Sequence, residues 1–65
     1  MTGEWRSSRR AVLANTGWRC SVYWFENRHW HPPVTVLSGY RTAPEAVAAA
    51  QAEAASRNKS STRPA

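Results

Sequence analysis

A single cysteine and no aspartate at all occur in these 65 residues, and each shortage removes a class of protein. With Cys20 alone, no disulfide can close within the chain, and an unpaired thiol fits a reducing compartment. Acidic groups are down to Glu4, Glu26, Glu45 and Glu53, too scattered to form the paired carboxylates of acid–base catalysis. Three glycines are too few and too dispersed for a phosphate-cradling loop, and no nucleophile elbow is present. An enzyme is therefore not expected, nor is a cofactor. No apolar run approaches the roughly 18 residues of a membrane-spanning helix. The first ten residues are polar and lack the apolar stretch of a secretory signal. The expectation is a cytoplasmic protein with no membrane partner.

What the chain does contain is positive charge. Nine Lys and Arg oppose the four Glu, giving +5 at pH 7. Eight of the nine are Arg, whose planar fork suits phosphate, carboxylate and ring faces, so an acidic protein surface, a nucleoprotein or a nucleic acid is the implied partner. An Arg-rich, Ala-rich composition is equally what a GC-rich genome produces. A chain of this length buries only about 60% of its unfolded surface, so one thin core is all it can build.

The segment Ala43 to Arg57 reads APEAVAAAQAEAASR, almost entirely strong helix formers. Thr42 as N-cap, Glu45 three residues later and Pro44 in the first turn mark its start. Upstream, Trp18 to Phe25 (WRCSVYWF) suits a central strand, preceded by a strand at Arg9 to Leu13 and followed by one at Val34 to Leu37. Pro32-Pro33 restricts the last strand to an edge or a bulge. The fold expected is α+β: a three-stranded antiparallel β-meander with one C-terminal helix packed on one face, in the order β-β-β-α. Residues 1–8 read as a flexible N-terminal segment, 9–57 as the single domain and 58–65 as a disordered basic tail.

Alternation places Trp18, Cys20, Val22 and Trp24 on one face of the central strand and Arg19, Ser21, Tyr23 and Phe25 on the other. A hairpin loop centred on Asn27 would set Trp24 opposite Trp30, Cys20 opposite Val34 and Trp18 opposite Val36, while a turn near Thr16 would set Val12 opposite Cys20. The helix would then cover this even-numbered face through Ala43, Ala46, Val47, Ala50 and Ala54. The other face would stay open, carrying Arg9, Ala11, Leu13, Arg19, Ser21, Tyr23, Phe25, His29, His31 and Thr35. Arg9, Arg19, Tyr23, Phe25, His29 and His31 are the candidate binding residues. Rings and cations on an open sheet resemble in kind the stacking platforms for single-stranded nucleic acid. The competing expectation is protein contact, including a homodimer closed over Tyr23 and Phe25. His29 and His31 share one side of a strand, but a structural zinc needs about four ligands, and Cys20 falls on the opposite face. No metal site is expected, and Cys20 reads as a small core residue.

The stretch Gly39-Tyr40-Arg41-Thr42-Ala43-Pro44-Glu45-Ala46 resembles the strand-to-helix junction of HicB-type antitoxins, in which three strands run into a helix opening Thr-x-x-Glu-Ala. That resemblance implies a partner protein to be neutralised. The β-β-β-α order is also similar to the C-terminal part of double-stranded-RNA-binding domains, whose final helix begins with phosphate-contacting lysines. At those positions this chain has Thr42, Ala43 and Pro44, with Arg41 beside them. The combined expectation is a small bacterial or phage accessory protein that binds or inhibits another protein or nucleoprotein complex stoichiometrically. The alternative is a basic nucleic-acid-binding module.

Overall fold

The thirteen residues WRCSVYWFENRHW combine a β-rich run with a polar pair, and they form the hairpin on which everything else is built. The computed structural model of the chain describes residues 3–59. In it β1 (Gly3–Ser7), β2 (Val12–Ala14), β3 (Gly17–Glu26) and β4 (His29–Tyr40) form one antiparallel sheet, followed by α1 (Ala43–Lys59). Strand β3 is central. It pairs with β4 along one side and with β1 and β2, end to end, along the other. The antiparallel sheet with one C-terminal helix is present, with four strands where three were expected, and β1 pairs with β3 rather than with its neighbour in sequence. The extra strand is Gly3–Ser7, which the sequence presented as a flexible segment.

Residues between β1 and β2 make an outward step: Ser7 lies opposite Val22 and Val12 opposite Arg19, so the edge carries two more residues than β3 spans. This interruption is tied down by the Ser8 N–H donating to the Ser21 carbonyl at 2.8 Å. The Cys20 thiol also donates to the Ser8 carbonyl, at 3.2 Å. Cys20 is thus a buried core residue, as its surroundings suggested.

The second hairpin departs from the expected register. Asn27 and Arg28 form a two-residue turn with φ of 56° and 66°, the twist that matches two antiparallel strands. Glu26 then faces His29, Phe25 faces Trp30 and Trp24 faces His31. Two residues are inserted next, at Pro32-Pro33, before Tyr23 meets Val34 and Cys20 meets Leu37. Proline cannot donate to a ladder, so the insertion falls where the ladder is already lost. A one-residue change in turn length reverses the faces of the whole strand. Hence Trp30 and Val34 lie on the open side rather than under the helix, while His29, His31 and Thr35 lie on the helix side. The first hairpin shows the same effect. Val12 is opposite Arg19 rather than Cys20, which turns Ala11 inward.

Helix α1 starts as its sequence dictates. The Glu45 N–H donates to Thr42 Oγ1 at 3.3 Å, and the Thr42 hydroxyl donates back to the Glu45 carboxylate at 3.0 Å. Ala46, Ala50 and Ala54 are buried, with Ala43 and Val47 packed beside them. Small side chains on the helix let it approach Cys20, Val22 and Trp24 closely.

Trp5 completes the core from the N-terminal strand and is only 6% exposed. Its ring meets Trp24 edge to face, with centroids 5.4 Å apart. The Arg57 guanidinium stands 4.6 Å above it. Arg57 also bonds Glu53 at 2.8 Å and Thr35 at 3.2 Å, so one helix side chain ties β1 to β4. Asn58 closes the arrangement: its Oδ1 accepts from the Trp5 N–H at 2.7 Å and its Nδ2 donates to the Trp5 carbonyl at 2.9 Å. The helix therefore runs to Lys59, and the first two residues of the expected basic tail belong to it. Residues 60–65 lie outside the described residues. Among the described residues, no helix is long and apolar enough to cross a membrane.

Candidate binding face

With the helix on one side of a sheet this small, the opposite side has no covering element among the described residues. Register settles its membership, because residues directly opposite in an antiparallel pair point the same way. Phe25 brings Glu4 and Trp30 to this face, Tyr23 brings Arg6 and Val34, Ser21 brings Val36, and Arg19 brings Val12. The result is an apolar floor on β3 and β4, with the charged Glu4 and Arg6 along β1 and Val12 beyond Arg19. Trp30 is 63% exposed, Val12 53%, Val36 49% and Val34 44%. Trp30, Val34 and Val36 follow one another along β4 as a patch rather than scattered singles, and patches of that kind mark interaction sites. A shallow depression lined by Ser8, Ser21, Tyr23, Trp30 and Val34 lies within it.

Charge flanks this floor. Arg6 lies with its guanidinium 3.9 Å over the Phe25 ring and pairs with Glu4. Exposed partners make that ion pair weak, but the stacking covers one side of the ring. Arg19 stands opposite Val12 at the other end.

Of the six candidate residues, the structure brings Arg19, Tyr23 and Phe25 together on the open face. It does not bring the other three there. His29 and His31 project on the helix side of β4, where His31 Nε2 lies 2.9 Å from the Glu26 carbonyl oxygen. Arg9 lies in the step between β1 and β2 and lines a groove against α1 with Trp5, Gln51, Ala55 and Asn58. The two-residue turn displaced the histidines, and the step at residues 8–11 displaced Arg9.

Sequence reasoning missed Arg6, Val12, Trp30, Val34 and Val36 as members of the face. Trp30, Val34 and Val36 were assigned to the core through the three-residue loop and Val12 through the turn near Thr16; Arg6 sat in a segment expected to be unstructured. The signal available for Trp30 was the alternative turn length, which sets a histidine opposite Trp24.

Chemically, the face offers contact area, ring surfaces and guanidinium groups. Among the described residues, no group of three or more His, Cys, Asp or Glu side chains comes together as a metal site would require. Glu26, the one buried acidic group among them, accepts from Trp24 Nε1 at 2.8 Å and belongs to the helix-side core. Compared with protein-family models, curated proteins and solved structures, the chain has no match.

Proposed function

We propose that this chain is a small non-catalytic accessory module of bacterial or phage type that binds another protein, alone or within a nucleoprotein complex, through the open face of its sheet. The observation that carries this reading is the exposure of Trp30, Val34 and Val36 along β4 beside Tyr23 and Phe25, with Val12 also exposed on this face across Arg19. Large apolar anchors at the centre of an interface carry most of its binding energy, and rim charges act mainly on association rate and partner choice. Arg6 and Arg19 occupy the rim, so the complementary surface is apolar at its centre and acidic at its edge. The antitoxin-like opening of the helix agrees with a protein partner, although Thr42 and Glu45 already serve as a cap.

Nucleic acid is the second reading, supported by Tyr23, Phe25 and Trp30 sharing a face with two Arg. Two observations favour protein over it. Three valines occupy positions where a base platform would carry rings or donors, and the Phe25 ring is already covered by Arg6.

The test compares the parent with Tyr23→Ala/Phe25→Ala, after circular dichroism shows both folded. Each is immobilised and exposed to bacterial lysate with quantitative mass spectrometry, and each is run on heparin and single-stranded DNA over a salt series. The proposal expects proteins retained by the parent to be lost from the variant, with only weak, charge-driven nucleic-acid binding common to both. Equal retention by the folded variant would refute the open face. Single-stranded DNA binding that the variant loses, with a steep salt slope, would establish the second reading.

A further inference from the structure

The two edges of this sheet are finished differently. On the β1 side, Asn58 bonds both the N–H and the carbonyl of Trp5, filling the place where an added strand would pair. That edge is also stepped at residues 8–11 and carries Glu4, Arg6, Arg9 and Arg10 in or beside it. Charges, steps and covering groups are the usual means of stopping edge-to-edge pairing. Strand β4 has twelve residues and not one Lys, Arg, Asp or Glu among them. It pairs with β3 and, among the described residues, with no other strand.

The direction of its backbone groups follows from bonds already described. Trp5 points its N–H and carbonyl outward to Asn58, so its partner Trp24 points its own toward β4. The Ser21 carbonyl points the other way, to Ser8. Even-numbered residues of β3 therefore serve β4. Val22 opposite Thr35 is then a hydrogen-bonded pair, and Val34 and Val36 turn their N–H and carbonyl groups to the free edge. Those two residues are the same ones whose side chains stand exposed on the open face.

We infer that β4 is a self-association edge, and that two copies of this chain pair antiparallel through residues 34–36 about a two-fold axis at Thr35. Val34-Thr35-Val36 reads the same in both directions, which is what an isologous contact asks of a sequence. In this register Val34 of one protomer lies opposite Val36 of its partner, and both pairs exchange N–H and carbonyl bonds. The valines of both copies join on one face. Strand β4 sets no charged side chain of its own opposite another, and Arg57, which reaches Thr35 beside the axis, is paired with Glu53 in each copy, although each copy carries +5. Pro32-Pro33 limits the ladder on one side and the bulge before Tyr40 on the other, so the contact is short and the register fixed. The product is one eight-stranded sheet with a helix from each copy on the same side, and it doubles the open face. Among the described residues seven apolar ones are buried, four of them alanine, the small core that self-association commonly supports. The inference concerns the edge rather than the face and does not depend on the partner proposed above.

The test uses the full chain. Sedimentation velocity across a concentration series should show a monomer converting to a dimer. Amide hydrogen exchange by NMR should show the Val34 and Val36 N–H groups slowing at least about tenfold on concentration, while Thr35, bonded within its own sheet, is protected throughout. A synthetic chain N-methylated at Val36 loses one outward donor and keeps every side chain; its dimer should be at least about tenfold weaker, with an unchanged circular dichroism spectrum. A chain that stays monomeric to about 1 mM overturns the inference. So does a dimer in which Val34 and Val36 amides exchange as in the monomer. A dimer abolished by Tyr23→Ala/Phe25→Ala but indifferent to N-methylation also overturns it, showing face-to-face packing instead.

Discussion

Replacing Asn58 by alanine isolates the contact that joins the last turn of the helix to the first strand. Two hydrogen bonds are lost, at 2.7 and 2.9 Å, both between part-buried groups. A net amide hydrogen bond contributes about 1 kcal/mol, less where water can replace the partner. Trp5 lies at a sheet edge, so water reaches its exposed backbone groups once the amide is gone. The expected loss is about 1.5 kcal/mol for the pair. In a domain of this size that lowers the melting temperature by about 6–12 °C. Asn58→Asp sharpens the test. Its carboxylate still accepts from the Trp5 N–H but faces the Trp5 carbonyl with a second acceptor, so it should be no more stable than the alanine variant. Urea unfolding followed by tryptophan fluorescence gives the free energies, and the m-value shows whether the unfolding unit is unchanged. Alanine and aspartate variants both within about 0.3 kcal/mol of the parent would refute the clasp, because two satisfied backbone groups cannot be released for nothing.

Thr42→Ala removes the helix cap seen between Thr42 and Glu45 and should cost about 1 kcal/mol, read as a lower midpoint in urea at constant m-value. Gly39→Ala and Gly17→Ala separate backbone strain from crowding by the same assay. Both positions have positive φ, at 90° and 113°. An added Cβ at Gly39 meets nothing within 4 Å, whereas at Gly17 it lies 2.9 Å from the Tyr40 carbonyl oxygen. Gly39→Ala should cost about 1 kcal/mol from conformation alone, and Gly17→Ala clearly more.

The helix was legible from Ala43 to Arg57 because its determinants there are local: propensity, a cap and an alanine stripe at helical spacing that names its own buried face. Its last two residues were not, since Asn58 is held by Trp5 from the far end of the chain. Cys20 and Val22 were legible for the same reason, since alternation along one strand needs no partner. Register across β4 was not. Apolar residues fall on both sides of that strand, Trp30, Val34 and Val36 on one and Leu37 on the other, so hydrophobic pattern alone does not choose between them. The choice was made by two adjacent non-glycine residues, Asn27 and Arg28, adopting positive φ, a conformation composition does not announce. Trp5 was hidden differently. It is one aromatic in a polar segment, and its neighbours Trp24, Arg57 and Asn58 come from distant parts of the chain.

The tight turn at Asn27–Arg28 also bears on how the molecule assembles. Everything it joins is near in sequence, so β3 and β4 can zip from the turn outward while loop-closure entropy is still small. Helix α1 forms on local contacts of its own. Trp5 and Asn58 are separated by 53 positions and can meet only after both pieces exist. On this contact order the expected sequence of events runs outward from the hairpin and joins Trp5 to Asn58 last, so Asn58→Ala should speed unfolding more than it slows folding in stopped-flow measurements.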